Sequence, residues 1–371
     1  MIYWFLLAFT VIFYGVCRMA VKTYHPYGFD SIEEHNRAYK LFFVVVSIAM
    51  ILIIGLKATT VGCDIKGYYY EYNHFAYKNF NYLLKPDVSD KGFSFLQILF
   101  NKIGFSFQGF NIVYAIFNIS VISYLIYKKS SLPLLSYILY ICFDFFVLDL
   151  TMIRQTTAMS VIILAVLSDE NDGLGSIIKF EIIVIIAYFI HASAIMFAPM
   201  FILRRLKFTK KTVFIFLGTA LVVFILKPIF IKLVFFVAGN ISDKYDALYN
   251  IESGNAGYKL YFMIIASVLL GLYLKDFLND KWNQLMFYYM CMMLIIFPTV
   301  QGGGAIMRAY FYFYIFFIVY VPNMIYGVNK NSDKITYYLA IFLYVVVGCS
   351  QLSNVVSNNT YAVLPYKFFW Q

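Results

Sequence analysis

Arg154 has the strongest potential for chemistry in this sequence, because it lies about one turn inside an apolar segment. At helical spacing it shares a face with Gln155 and Ala158. A charged side chain within a bilayer costs about 3 kcal/mol or more, so the guanidinium needs a polar or anionic partner. One interpretation is a structural salt bridge to Asp144 or Asp149. The other is a clamp on a phosphate group, since the guanidinium fork can bind two phosphate oxygens at once.

A second arginine, Arg308, follows a run of three glycines, Gly302, Gly303 and Gly304. Glycine lets the backbone approach a ligand closely, and exposed backbone N–H groups favour anions. We therefore interpret Arg308 as a second phosphate-binding residue and Gly303 as a substrate-positioning residue. The simpler interpretation is a flexible turn followed by an arginine that reaches towards the membrane surface.

His191 is the only one of the four histidines that lies inside an apolar block. A buried histidine is often a hydrogen-bonded packing residue, and that interpretation stays open. A neutral imidazole near the membrane surface is also a suitable general base for a sugar hydroxyl. We predict this catalytic role for His191.

Asp64 precedes a cluster of tyrosines that includes Tyr68 and Tyr70. The acid could form only a turn, and the tyrosines could belong to an interfacial aromatic belt. As functional residues, Asp64 would act beside the base and the tyrosines would position a sugar. The sequence contains no Asp-x-Asp pair and no Cys or His spacing typical of zinc, so we predict neither a metal nor a cofactor.

The composition places these residues in a membrane protein. Hydrophobic residues make up 62% of the chain and charged residues 13%, whereas soluble domains carry about 25% charged residues. The apolar residues occur in blocks of about 15–25, the length that crosses a bilayer. The net charge of +10 does not indicate nucleic acid binding, because the basic residues lie between apolar blocks, where they contact lipid and orient the chain.

The fold class predicted from these blocks is all-α: one polytopic domain over residues 1–371 with about twelve transmembrane helices. Segments 177–190 and 192–203 are short for full spans and are predicted to form a re-entrant pair with His191 at its tip. Lys227-Pro228 should kink the long block 211–239. The amphipathic stretch 93–107, broken by Gly104, should lie in the interface or re-enter the bilayer. The predicted helices are 2–17, 40–57, 108–127, 131–149, 150–167, 177–190, 192–203, 211–239, 259–274, 283–299, 308–327 and 335–349.

The orientation follows from the densest basic cluster, residues 204–211, which is predicted to be cytoplasmic. The acidic loop 169–172 would also be cytoplasmic, against the usual charge bias, but acidic residues carry little topological weight. Alternation then places the loop 58–92, the turn near 149–150, His191, the loop 240–258 and the glycine turn on the outer side.

Four short motifs occur in an order that resembles the EpsG family of bacterial membrane proteins, which are similar to Wzy-type polysaccharide polymerases. The tail 364–367 resembles that family too. The chain departs from it at Asp90-Lys91-Gly92, where the family often has Glu-x-Gly, and in the acidic loop, which is usually basic. The motifs are Val61-Gly62-x-Asp64, Lys91-Gly92-Phe93, Ile153-Arg154-Gln155 with Ala158, and His191-x-Ser193-Ala194.

The resemblance implies a glycosyltransferase that joins undecaprenyl-diphosphate-linked oligosaccharide repeat units on the outer face of the bacterial cytoplasmic membrane. Its partners would be that lipid-linked substrate, the growing polysaccharide, membrane lipid and a chain-length regulator protein. By analogy with related transferases, Arg154 and Arg308 would hold the leaving diphosphate without a metal, and Gln155 would help to position it. His191 would accept the proton from the attacking hydroxyl, and Asp64 would orient a sugar or the histidine.

Two other functions fit the same residues. A flippase for the lipid-linked glycan would also contain intramembrane arginines and an aromatic cavity, although it would need access to both faces and often has repeated halves. A membrane-bound acyltransferase that modifies polysaccharide could use an intramembrane histidine, but its acyl donor usually binds at the cytoplasmic face. The absence of a repeat and the predicted outer position of the site favour the polymerase.

Overall fold

The computed structural model of the protein describes residues 1–24, 31–86, 88–169, 173–239, 258–300, 304–330 and 334–371. These residues are mainly helical, and an isolated antiparallel bridge joins Lys57 to Phe368. The predicted all-α fold is therefore confirmed. The chain divides into two compact units, Met1–Ile195 with Asp333–Gln371, and Met196–Ser332. A single domain over the whole chain remains a prediction.

In the part of the chain that the structure describes, the first unit begins with ten α-helices, several of which start at residues suited to that position. Ser106 accepts a hydrogen bond from the Gly109 N–H and so caps its helix, and Pro133 occupies a first-turn position where no N–H is required. The helices are α1 Ile2–Tyr24, α2 Ile32–Ala38, α3 Lys40–Gly55, α4 Ile65–Phe75, α5 Lys91–Lys102, α6 Phe107–Lys129, α7 Pro133–Cys142, α8 Phe145–Thr151, α9 Ile153–Ser168 and α10 Leu174–Ile190.

Within its described residues the second unit contains seven α-helices, and its core is rich in aromatic side chains. Phe313, Phe316 and Tyr289 are buried and lie edge to face or tilted against one another. Helix α15 packs against α12, α14, α16 and α17. The helices are α11 Phe201–Arg205, α12 Lys210–Ile225, α13 Lys227–Gly239, α14 Tyr258–Tyr273, α15 Lys281–Val300, α16 Gly304–Tyr314 and α17 Phe317–Lys330.

The chain returns to the first unit with α18, Lys334–Asn358, which packs against α7. Helix α9 packs against both α10 and α6, and α5 packs against α10 and α4. Short amphipathic helices thus lie beside long apolar ones. This arrangement brings segments that are far apart in sequence to the start of α9.

The protein is a multi-pass membrane protein, but the predicted number of about twelve spans is not confirmed. Within the described residues, four helical stretches are long and apolar enough to cross a membrane, or six if each of two bent helix pairs counts as one span. The four are Ile2–Thr23, Phe107–Lys129, Arg308–Val328 and Lys334–Asn358. Several predicted spans are shorter helices, including Lys40–Gly55, Ile153–Ser168 and Lys259–Tyr273. The re-entrant pair remains a prediction.

One helix break lies at the residues where the sequence predicts it, and another is displaced along the chain. The predicted kink at Lys227-Pro228 is confirmed by a bend of 88° between Lys210–Ile225 and Lys227–Leu233. The break predicted near 149–150 lies two residues later, because α8 continues to Thr151 and the helices separate at Met152. A further bend of 52° separates α7 from α8, where Asp144 adopts a left-handed conformation with φ of 70° that an α-helix cannot contain.

A pair of topology reporters should test the orientation. A reporter fused at Lys207 should report a cytoplasmic position, because it lies in the basic cluster. A reporter at Tyr77, which is 91% exposed in the segment between α4 and α5, should report the opposite side. The reverse pair of results would place the loop 58–92 in the cytoplasm and contradict the predicted orientation.

Candidate functional site

Four segments of the first unit meet at Arg154. Helix α4 contributes Glu71, the residue before α5 is Asp90, Arg154 lies in the first turn of α9, and His191 follows α10. We call these four residues the Arg154 network. Their side chains are largely buried, with exposed fractions of 29%, 10%, 18% and 11% in the order given. A convergence of ionisable groups from separate segments at a largely buried point is typical of functional sites.

Two carboxylates hold the guanidinium of Arg154. Its Nη2 donates to Glu71 Oε2 at 2.7 Å, and its Nη1 donates to Asp90 Oδ2 at 2.9 Å. The guanidinium also lies near the rings of Tyr68 and Phe93, 5.3 Å and 5.2 Å from their centroids. Such contacts are favourable for a delocalised cation. The position of Arg154 is therefore fixed by two ion pairs and two aromatic rings.

The interpretation of Arg154 as the partner of Asp144 or Asp149 in a structural salt bridge is wrong. Asp149 is buried and accepts hydrogen bonds from the hydroxyls of Tyr114 and Tyr140 instead. Asp144 accepts a hydrogen bond from the amide of Gln351 at 2.9 Å. The break at Met152 also puts both acids in a different helix from the arginine, so they do not share a helical face with it.

Asp90 connects the arginine to the histidine. Its Oδ2 atom lies 2.9 Å from Arg154 Nη1 and 3.3 Å from His191 Nδ1, and its Oδ1 atom accepts the Ala192 N–H at 3.0 Å. Its backbone has a φ of 48°, in the left-handed region, where Asp is tolerated better than most residues. The shorter acid at this position of the motif therefore reaches both ionisable partners.

One ring nitrogen of His191 is held by a carboxylate, and the other is buried. Its backbone is extended, with φ of −153° and ψ of 117°, which ends α10 and separates it from the 3₁₀ helix Ala192–Met200. Nδ1 faces Asp90, whereas Nε2 has no hydrogen-bond partner within the part of the chain that the structure describes. If Nδ1 carries the proton and donates it to the carboxylate, Nε2 has a lone pair for a substrate proton.

The Arg154 network shifts the pKa values of its two acids in opposite directions. Burial alone would raise the pKa of Asp90, but His191 and Arg154 outweigh burial and lower that pKa to about 2. Burial raises the pKa of Glu71, and Arg154 opposes this effect only in part. Burial also raises the pKa of Tyr68 to about 12. Asp90 therefore stays ionised at any physiological pH, and Glu71 is the acid whose charge is easier to remove.

Gly92 lets α5 approach the end of α10 closely enough to form the network. A Cβ atom at Gly92 would lie 2.8 Å from the carbonyl carbon and oxygen of Phe189, two residues before His191. Atoms at that distance overlap, so the backbone itself would have to move. The requirement for glycine in the Asp90-Lys91-Gly92 motif therefore has a steric cause.

Gly92→Ala should destabilise the protein by about 1–3 kcal/mol, the usual cost of overpacking, and should reduce activity by separating Asp90 from His191. The measurements are thermal unfolding of the purified protein and an assay of its activity. Gly67→Ala on α4 is the matched control, because no atom lies within 4 Å of the added Cβ. Equal behaviour of the two variants would contradict the close approach.

The other predicted site residues are not part of the Arg154 network. Asp64 is exposed and precedes α4, with its N–H 3.4 Å from the Thr151 hydroxyl. Tyr70 is 70% exposed, and Gln155 is buried in α9. Arg308 is exposed on α16 of the second unit. Gly303 and most of the loop 240–258 lie outside the described residues, as do three residues of the acidic loop, 170–172.

Sequence reasoning missed Glu71 and the central position of Asp90. Glu71 follows Tyr68 by three residues, so helical spacing could have placed both on one face of an amphipathic helix. Asp90 stands in a motif that sequence reasoning had noted, but an ordinary loop acid gives no signal of an arginine partner 64 residues away.

A sequence model of the EpsG family matches residues 40–368 of the chain. The match covers most of the chain and includes all four residues of the Arg154 network. No curated protein sequence and no solved structure matches the chain.

Proposed function

Because the chain belongs to the EpsG family, a Wzy-like polymerase-type family, we propose that it polymerises undecaprenyl-diphosphate-linked oligosaccharide repeat units. The reaction takes place on the outer face of the bacterial cytoplasmic membrane and needs no metal. The observation that carries this proposal is the contact of one carboxylate, Asp90, with both Arg154 and His191. It joins a candidate anion-binding group to a candidate base.

The reaction is a glycosyl transfer between two lipid-linked glycans. A hydroxyl oxygen of one repeat unit attacks the anomeric carbon of the other, and the bond from that carbon to the diphosphate oxygen breaks. His191 Nε2 accepts the proton of the attacking hydroxyl, and undecaprenyl diphosphate leaves with the bonding electron pair. Asp90 orients the imidazole through Nδ1 and stabilises the imidazolium that forms, as a carboxylate does in other histidine-based sites.

Arg154 stabilises the charge that develops on the leaving diphosphate. Each of its terminal nitrogens donates to a carboxylate and the side chain is largely buried, so the diphosphate reaches the guanidinium by displacing one of the two carboxylates. Glu71 is the one that leaves, because burial already disfavours its charge, whereas Asp90 is also held by Ala192 and His191. A cation placed in advance in a water-poor site is an effective way to stabilise such charge.

The remaining predicted residues keep their proposed roles. Arg308 remains a proposed diphosphate-binding residue, Gly303 a proposed substrate-positioning residue, and Gln155 a proposed positioning residue beside Arg154. Tyr68 and Tyr70 contact sugar rings. Asp64 is the rival base, because its exposed carboxylate on the loop before α4 is open to a substrate hydroxyl.

A second function, the flippase, is favoured by one observation. The single guanidinium of the Arg154 network faces two carboxylates, so the network carries no excess positive charge before substrate arrives. Charge-compensated networks of this kind also occur along transport pathways inside membranes. The polymerase remains the proposal because of the family and because His191 Nε2 is unoccupied.

Deletion of the gene and analysis of the glycans on gels distinguish the two functions. A polymerase mutant should accumulate single repeat units that reach the outer face on their lipid carrier. A flippase mutant should leave these units inside the cell, inaccessible to external glycosidases or labels. The second result would contradict the proposal.

A further inference from the structure

A cleft in the first unit lies beside the Arg154 network but is separate from it. Its volume is about 570 Å³, within the range of about 300–1,000 Å³ that is usual for small-ligand sites. It is bounded by α4, by the start of α6, by the segment after α3 and by the C-terminal tail. We call it the Tyr69 cleft. None of its lining residues belongs to the Arg154 network.

Aromatic rings form much of the surface of the Tyr69 cleft. Tyr69, Phe105 and Phe369 line it and are 38%, 40% and 50% exposed. The ring of Tyr69 packs edge to face on buried Phe107, with 5.5 Å between centroids, which fixes its position. Exposed rings held in place by buried ones give a flat apolar surface on which a sugar ring can stack.

Polar groups without partners lie among these rings. The side chains of Thr59, Thr60, Asn73 and Lys367 line the cleft, and within the described part of the chain none of them makes a hydrogen bond or ion pair. Hydroxyl and amide groups both donate and accept hydrogen bonds, as sugar hydroxyls do. Among the lining residues Lys367 is the one with a charged side chain, so the cleft suits neutral or acidic sugars.

The C-terminal tail forms a fixed wall of the Tyr69 cleft. The Ala58 N–H donates to the Lys367 carbonyl, and the Phe369 N–H donates to the Leu56 carbonyl, both at 2.9 Å. The Tyr366 hydroxyl donates to the Ile53 carbonyl at 2.7 Å. These bonds hold Lys367 and Phe369 against the segment that carries Thr59 and place them in the cleft. The tail motif, which has no role in the proposed chemistry, thus has a structural consequence at a second site.

Helix α4 links the cleft to the Arg154 network. Tyr68 and Glu71 contact Arg154, whereas Tyr69, Tyr72 and Asn73 line the cleft. Both sets have helical i, i+3 or i+4 spacing, so they lie on adjacent faces of one short helix. A ligand chain bound along the face that carries Tyr69 would therefore have one end close to the face that carries Glu71.

We propose that the Tyr69 cleft binds a segment of the growing glycan chain, so that the polymer is retained between rounds of transfer. This inference rests on the proposed function, because the glycan is that of the polymerase. An acyl chain would suit the cleft less well, since its unpaired hydroxyl, amide and ammonium groups would lose water without gaining partners. Retention by the cleft would increase the length of the product rather than the rate of a single transfer.

The test measures binding separately from catalysis. Full-length protein in phosphatidylcholine nanodiscs is titrated with glycan fragments of one to four repeat units, released by mild acid from the host's own surface polysaccharide. The variants are Tyr69→Ala and Asn73→Ala, and Tyr77→Ala is the control, since Tyr77 is a 91% exposed tyrosine that does not line the cleft. Asn73 is exposed and unpartnered among the described residues, so its replacement should not affect folding.

Each cleft variant should weaken fragment binding about tenfold or more, shorten the polymer and leave the first transfer within about twofold of wild type. Tyr77→Ala should change none of these. Unchanged binding and polymer length in both variants would overturn the inference, as would full displacement of the fragments by phosphatidylglycerol, which would make the cleft a lipid site. If the fragments bind as described but the protein transfers nothing, the glycan site stands and the polymerase proposal fails.

Discussion

Arg154→Lys is expected to reduce polymer formation by about 10²-fold or more, while the protein still inserts in the membrane. Lysine keeps the positive charge but loses the planar fork that binds two phosphate oxygens side by side. The measurement is the length distribution of the surface glycan at matched protein levels. Arg37→Lys is the control, because Arg37 is an exposed arginine that pairs with Glu33 at 3.6 Å. Glycan of near-normal length in Arg154→Lys would leave Arg154 as a structural ion-pair partner.

A second variant separates a phosphate-binding role of Arg154 from a structural one. If the donor diphosphate must displace Glu71, Glu71→Gln removes the competing charge and should lower the donor concentration needed for half-maximal rate. If Arg154 only supports the fold, Glu71→Gln should leave that concentration unchanged or raise it. The comparison uses purified protein, so differences in expression do not affect it.

His191→Gln is expected to reduce turnover by about 10²–10⁴-fold, because a sugar hydroxyl is a poor nucleophile until its proton is removed. Donor binding should persist, since Arg154 and Asp90 remain. The rate of the wild-type protein should fall on the acid side of the pH profile, because a base that is already protonated cannot accept the proton of the hydroxyl. This decrease in rate at low pH, the acid limb of the pH profile, should be absent in the His191→Gln variant.

The two acids of the network can be excluded as the source of the acid limb. Asp90 has its pKa lowered to about 2, so it remains ionised throughout the range of interest. Glu71 has its pKa raised by burial, so Glu71→Gln is needed as a control and should retain the limb. Asp90→Asn should lose most of the turnover, because the imidazole loses the carboxylate that orients it and stabilises the imidazolium.

The same pH-dependent rate measurement on Asp64→Asn tests whether Asp64 is the base instead. If Asp64→Asn removes the acid limb and His191→Gln only weakens binding, the roles are exchanged. His191 would then position a sugar, and Asp64 would be the base.

The all-α membrane class of the fold could be predicted from the sequence, because the length of each apolar segment can be read locally along the chain. The number of spans could not, since residues 131–149 form two helices bent at Asp144 and residues 192–203 are largely 3₁₀ helix that contains Pro199. A hydrophobic block shows that a segment is buried in lipid or protein, but it does not show whether the segment is straight.

The site was predictable to the extent that an ionisable group in an apolar segment is unusual. Arg154 and His191 satisfy that condition, and both belong to the network. Glu71 and Asp90 do not, because acids are common in polar loops and only tertiary structure brings them to the arginine. Arg308 and Asp64 had comparable local signals, and their roles remain predictions.

The most direct test of the account is elongation of lipid-linked repeat units by the purified protein in excess chelator. The account predicts polymers of many units and release of undecaprenyl diphosphate, with no activity in Arg154→Lys or His191→Gln. Failure to elongate with or without added magnesium or manganese, in protein that still binds the lipid-linked units, would contradict the polymerase. Activity that returns only with one of these metals would contradict the metal-independent mechanism, in which the guanidinium of Arg154 rather than a metal ion stabilises the leaving group.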